Sequence, residues 1–268
     1  MSAYRVLAYN TAHDSENKIH DDAVARGFGF TGALVPGVDV YAYMMHLPVE
    51  RWGRAFLERG TAECRFASPV YDGETVEVSG REEGEGIAIE VTSQGKRCAT
   101  GSACLSPQKD SLLKYEIAEP PSPDNRPSAS PSTLAPGTVL GTQRFDTNVE
   151  FLKTYLQEIG ETDDLYLREG LMHPGNILRM ANFALFRNVK LGPWIHVGSR
   201  VQNLGAARAG EMLSARARVT ANYEKKGHRF VDLDVLVLAG DRPVALVWHT
   251  AIYEPRARPE RPAELRAT

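Results

Sequence analysis

Two stretches of this chain, 138 residues apart, repeat one another. "ALVPGVDVYAYMMH" from Ala33 and "LMHPGNILRMANFAL" from Leu171 each set Pro-Gly at the mouth of an amphipathic run, with Pro36 and Pro174 in equivalent places. Proline has no N–H to lose at the first turn of a helix and its φ is already helical, so both runs are expected to be helices that start there. Downstream, "PVYDGETVEVSG" and "ARAGEMLSARARV" each carry a turn glycine, an acid and an alternating strand, with Gly73 and Gly210 137 apart. A register held to one residue across both motifs requires two copies of one structural unit.

Each copy continues into runs that alternate apolar and polar residues. Phe230, Leu233, Val235 and Val237, followed by the turn "AGDRP", have the pattern of antiparallel hairpins with one wet face. A sheet with one apolar face must be covered, and the Pro-Gly helix is the available cover. The expected class is therefore α+β, one helix on an antiparallel sheet, twice over. Between the copies, "EPPSPDNRPSASPSTLAP" is rich in Pro and Ser and reads as a solvated connection. The expected organisation is a first unit at 1–107, a linker at 108–137, a second unit at 138–256 and a tail at 257–268.

Composition narrows the function classes. With 31 basic and 34 acidic residues the formal charge is -3, which provides no positive field to draw nucleic acid or an anionic membrane. No apolar stretch approaches the roughly 20 residues of a spanning helix. The three cysteines, Cys64, Cys98 and Cys104, lack metal-type spacing, and "MSAYRVLAYN" is no apolar secretory leader, so a cytoplasmic location is expected. No phosphate loop, no nucleophile elbow and no dinucleotide fingerprint is present, and no histidine spacing suggests a metal site. His46, at the end of the first helix, His173, His196 and His249 are all expected to be structural.

The densest polar stretch is "DSENKIHDD", Asp14 to Asp22. His20 can be a hydrogen-bonded residue at a helix start or a working base, Asn17 a turn residue or an orienting amide, and Asp21 or Asp22 a cap for "DAVARGFG", with Asp22 the first choice. Gly37 and Val38 would point spare amides outward at the positive end of a helix, a site for an oxygen bearing negative charge.

The order of this loop, "GFGFTGALVPG", the helix and "RFASPVYDGETVEV", from about Asn10 to Val78, resembles the MaoC-like hydratase and dehydratase family. The resemblance implies a hotdog fold in each half, hence a double hotdog whose one chain imitates a dimer and whose second half is degenerate. Aligning "ETDDLY" with "SENKIH" puts Asp163 at the place of Asn17 and Tyr166 at that of His20, and the second half lacks the "ARGFGFTG" overhang. The family's D-x-N-x-x-H loop falls on Asn17 and His20, but its aspartate falls on Ser15. Serine is no base unaided, and Asp14 or Glu16 beside it are the candidate replacements.

What the resemblance implies is a reversible addition of water to a 2-enoyl-CoA or related thioester. His20 would be acid and base, Asn17 the orienting amide, Asp14 or Ser15 the altered second position, and Pro36, Gly37, Val38 and Tyr41 the carbonyl and acyl contacts. No cofactor is implied, and the unit would be a monomer or a homodimer. Two alternatives stand beside it. One is a hotdog thioesterase working through Asp39, an acid one turn inside the first helix, and the other is an acyl-CoA binding protein without catalysis.

Overall fold

The computed structural model describes residues 2–12, 15–105 and 115–256. The first half contains strand β1 (Tyr4–Leu7), helices α1 (Asp22–Gly27), α2 (Gly37–Trp52) and α3 (Arg54–Arg59), then β2 (Gly60–Phe66), β3 (Thr75–Glu83), β4 (Gly86–Ser93) and β5 (Lys96–Leu105). The second contains β6 (Val139–Asp146), α4 (Val149–Glu158), α5 (Leu165–Glu169), α6 (Pro174–Phe186), β7 (Ile195–Asn203), β8 (Met212–Lys225), β9 (His228–Ala239) and β10 (Arg242–Glu254).

The ten strands form one sheet in the order β1-β3-β4-β5-β2-β7-β10-β9-β8-β6, antiparallel at every pairing. Counted outward from the middle, β2, β5, β4, β3, β1 on one side match β7, β10, β9, β8, β6 on the other. The halves are thus related by a pseudo-twofold axis at the β2–β7 seam, where Glu63 faces Arg200 and Cys64 faces Ser199. The seam is tight. A Cβ on Gly198 would stand 2.6 Å from the Cys64 carbonyl oxygen, and one on Gly101 of β5 would stand 2.1 Å from that of Glu63.

Two helices fill the inside of the curved sheet. Helix α2 buries Val38 through Met45 without a break, as expected of a helix surrounded by protein. Helix α6 buries residues all round in the same way and packs against α2. A long helix wrapped by an antiparallel sheet is a hotdog, and two of them fused through β2 and β7 make this chain a double hotdog.

Several local expectations are revised. The cap of α1 is Asp21, whose carboxylate accepts from the amides of Ala23 and Val24, while Asp22 Oδ1 accepts from Ala33 N at 2.7 Å and pins the overhang loop. His46 does not end α2, which runs on to Trp52. It bonds Glu161 at 2.8 Å and stacks on Tyr4. The Pro-rich connection is packed from Tyr115 onward: Ala129 and Lys190 are joined through the backbone, Thr142 N bonds Ala118 O, and Leu134 is fully buried. Two further strands, β1 and β6, form the edges of the sheet; β1, with four residues, is too short for alternation to show.

The seam yields a test. Gly198→Ala forces a methyl group against a backbone carbonyl that no side-chain rotation can clear, and is expected to cost about 1–3 kcal/mol in urea unfolding. The exposed turn position Gly84→Asn, with open space around its Cβ, should cost far less.

Candidate functional site

An apolar cavity of about 260 Å³ opens at the mouth of α2. Its walls come from both halves. Ile19, Phe30, Leu34 and Phe66 belong to the first, Trp194, Ile195 and Ile252 to the second, and the polar members are Asn17, His20, Ser68, Asn182 and His196. The overhang of the first half forms one wall. Helix α1 and the following loop close over Ile19, Ala25 and Leu34 with Phe28 and Phe30, a small apolar cluster of their own.

The polar loop enters as a single 3-10 turn, Lys18–His20. His20 Nδ1 lies 2.7 Å from the Leu34 carbonyl oxygen, which can only accept, so Nδ1 carries the proton and Nε2 keeps its lone pair. Asn17 Nδ2 stands 3.4 Å from that Nε2. The same amide is clamped across the halves, donating from Nδ2 to Trp194 O at 3.0 Å and accepting at Oδ1 from Trp194 N at 3.2 Å. Burial lowers the His20 pKa below the ordinary histidine value, and the Leu34 hydrogen bond opposes this without overcoming it. The result is a neutral imidazole with its basic nitrogen held beside the cavity.

Ser15 does not stand free. Its hydroxyl accepts from the Asn17 amide at 3.1 Å and shapes the turn that delivers Asn17. Glu16 turns away to a two-point ion pair with Arg126, at 2.9 and 3.2 Å. Asp14 lies outside the described residues. Pro36 caps α2 and Gly37 opens it, both lining the cavity, and the first amides of a helix have no intrahelical acceptor.

Asp39 and Tyr41 are not brought to the cavity wall. Asp39 is fully buried in a knot between the halves, accepting from Thr11 Oγ1 at 2.6 Å, Arg179 Nη2 at 2.5 Å and Tyr155 OH at 3.2 Å. Tyr41 is buried, and its hydroxyl has no partner among the described residues.

Three contributors had no motif to announce them: Trp194, Asn182 and His196, all from the second half. His196 Nε2 bonds Ser199 Oγ at 2.8 Å, which in turn lies 3.0 Å from His249 Nδ1. Burial holds both imidazoles neutral, His196 well below its ordinary pKa and His249 down to about 3. The expected structural role of the two holds for His249, while His196 also faces the cavity. The signal for all three was the repeat itself, since a pseudo-dimer must place the second half opposite the mouth of α2.

The equivalent mouth in the second half is filled. The turn is copied, with Asp163 Oδ1 accepting from Leu165 N as Asn17 Oδ1 does from Ile19 N. But His173 Nδ1 caps Gly175 N at 3.1 Å, and a Cβ on Gly175 would stand 2.2 Å from Tyr155 OH and 2.8 Å from Ala42 Cβ.

Fold and site together define a double-hotdog protein with an apolar cavity at the mouth of α2. Its solved structural relatives include protein RV0216 of Mycobacterium tuberculosis, described as a double hotdog (TM-score 0.63, 14% identity, 94% of this chain and 95% of that one). A "MaoC-like dehydratase" aligns with TM-score 0.60 at 12% identity over 94% of this chain and 98% of that one. A candidate thioesterase from Novosphingobium aromaticivorans aligns with TM-score 0.54 at 14% identity over 95% and 96%. No protein-family model matches the sequence and no curated protein is significantly similar to it, so the likeness is one of fold. No helix among the described residues is long and apolar enough to cross a membrane.

The buried knot gives a prediction. Asp39→Asn leaves the Arg179 guanidinium without its counter-charge. It should cost about 3 kcal/mol in urea unfolding, the low end for breaking a buried pair, since Arg179 keeps 21% of its side chain in contact with water. Activity per folded molecule should change far less than stability.

Proposed function

We propose that this protein is an acyl-thioester hydratase or dehydratase acting through His20. The observation that carries the proposal is the neutral His20 Nε2, fixed by Leu34 and Asn17 at the wall of an apolar cavity into which the start of α2 opens. This is the set of parts the reaction needs: a base for water, apolar room for the acyl group, and amides for the thioester oxygen. Fold relatives named as a MaoC-like dehydratase and as a dehydratase of the difficidin assembly line agree with this class.

In hydration, Nε2 takes a proton from water as its oxygen adds to C3 of the enoyl group. The displaced electron pair moves to the thioester oxygen, which the Gly37 and Val38 amides receive at the positive end of the helix. The imidazolium then returns the proton to C2, so one water is consumed and the neutral histidine restored. One residue works on both carbons, so the addition is expected on a single face of the double bond. Dehydration is the reverse. Ser15 and Glu16 are engaged elsewhere, which leaves Asp14, adjacent in sequence, as the candidate second carboxylate.

An apolar cavity of about 150 Å³ accepts benzene, so the space here suits an acyl group of roughly ten non-hydrogen atoms, with the coenzyme or carrier outside. A monomer suffices for the site, because the chain supplies both halves, and a homodimer would leave it unchanged. The thioesterase alternative through Asp39 gains nothing from the geometry, since that carboxylate is committed to Arg179.

The test is a panel of short 2-enoyl-CoA and 3-hydroxyacyl-CoA thioesters, followed by enoyl absorbance and free thiol together. His20→Ala should lower kcat by about 10²–10⁴-fold. Hydration by wild type should lose activity only as pH falls through a midpoint below about 6.5, because the base must be unprotonated and its pKa is depressed. Thiol release without absorbance change would instead make the protein a thioesterase, and tight binding with silence on both channels a binding protein.

A further inference from the structure

Asn182 is a polar side chain that the fold does not account for. It is 9% exposed, lines the cavity, and its Oδ1 has no hydrogen-bond partner among the described residues. An unsatisfied buried amide normally costs stability. Its place in the helix pair says what it is for. Helices α2 and α6 run antiparallel: Arg179 meets Asp39, and Gly175 meets Ala42. Residues 175, 179 and 182 share one face of α6, at helical spacings of four and three. One turn beyond the Arg179–Asp39 contact, Asn182 comes level with Pro36, at the mouth of α2, where Gly37 presents its spare amide.

The repeat supplies a control inside the same molecule. The residue of α2 equivalent to Asn182, 138 positions earlier, is Met44. Its Cε packs over Gly101 of β5, and the mouth of α6 is filled by Tyr155 and Ala42. Where the mouth is closed the opposing residue is apolar, and where it is open the opposing residue is an amide. Packing alone therefore does not require a polar group at this position.

We propose that Asn182 is a catalytic residue of the hydratase reaction, a side-chain donor that joins the Gly37 amide in binding the thioester oxygen and stabilising the enolate. A half-turn of the carboxamide exchanges its N and O ends at little cost, so Nδ2 can face the oxygen. The second half then contributes directly to the chemistry, without carrying a catalytic motif. Charge that develops on the thioester oxygen as water adds to C3 meets one donor from each half, fixed beforehand on two packed helices. Donors of this kind act mainly in the transition state, so their loss falls on kcat rather than KM.

The inference rests on the hydratase reading for its reaction but can be tested apart from it. Asn182→Met copies the closed mouth, and Asn182→Asp removes the donor and adds repulsion. On short 2-enoyl-CoA substrates both should lower kcat about 10²–10³-fold with KM within a few-fold. Asn182→Met should unfold at the same or higher urea concentration than wild type, because it deletes a buried amide oxygen without a hydrogen bond. A merely structural asparagine would give the opposite, lower stability with kcat per folded molecule retained, and that result overturns the proposal. A second measurement does not need turnover. Acetoacetyl-CoA bound to the protein should ionise to its enolate at lower pH than free thioester, read by ultraviolet absorbance, with wild type and His20→Ala but not with Asn182→Met. Enolate stabilisation that depends on Asn182, in a wild type that fails to hydrate any enoyl-CoA, would sink the hydratase reading and leave the oxygen-binding role standing. Hydration or enolate formation undiminished in Asn182→Met would overturn the role and leave the hydratase reading intact, and absence of both from wild type would overturn the two together.

Discussion

The pairing of β2 with β7 is the constraint on which the rest of this molecule depends. Without it, each half is a five-stranded sheet with an open edge and a helix covered on one side only. With it, the two sheets become one, and α2 and α6 are forced side by side and antiparallel in the space they enclose. The glycines flanking the seam allow the strands to approach, since Gly198 and Gly101 stand where any side chain would meet the carbonyls of β2. The consequence is chemical as well as mechanical. The mouth of α2 faces the second half, so three groups there meet the other copy: Asn17 pairs with Trp194, Asp39 with Arg179, and Gly37 is approached by His196.

Fusion into one chain lets the two mouths diverge, and they have done so by simple means. The first half keeps an overhang whose Phe30 walls a cavity together with Leu34, and the Leu34 carbonyl fixes the His20 tautomer. The second half lacks that overhang. Tyr166 occupies the corresponding place, fully buried, and Tyr155 fills the space that a substrate would need. The charge distribution follows the same division. At the closed end, Glu161 collects His46 at 2.8 Å and His173 at 3.5 Å. Burial works against the charge on His46, but the hydrogen bond and charge of Glu161 outweigh it and raise its pKa. At the open end the histidines are neutral and depressed by burial. One end therefore holds ions as structural fasteners, and the other keeps unprotonated imidazoles.

What could be read in the sequence followed from periodicity. The Pro-Gly mouths, the turn glycines and the alternating strands are local signals, and the repeat turned them into an architecture. The loop carrying Asn17 and His20 was legible because its side chains act within a few residues of one another. Long-range placements were not. Nothing in "VYAYMMH" distinguishes an aspartate capping its own helix from one buried against an arginine 140 positions away, and only the helix packing decides it for Asp39. The position of His46 within α2 was misjudged because Pro48 looks like a stop, yet the helix continues through it to Trp52. The Pro-rich connection looked solvated because isolated apolar residues such as Leu134 carry no period, although one of them is enough to anchor a segment.

Under the proposed function, a serine rather than a carboxylate at position 15 has a physical sense in this setting. A carboxylate beside a buried neutral histidine would raise that histidine's pKa and hold more of it as imidazolium. With a hydroxyl that instead supports the Asn17 turn, burial keeps the His20 pKa low, the state that the proposed reaction needs in its base. In that reaction a weaker base demands a more stable enolate for the same barrier. Among the described residues the second half is placed to supply that stabilisation, through a helix that lies against α2 and carries Asn182, whose Oδ1 has no partner there. Under the proposed function, a half without a catalytic motif then serves the reaction as well as the fold.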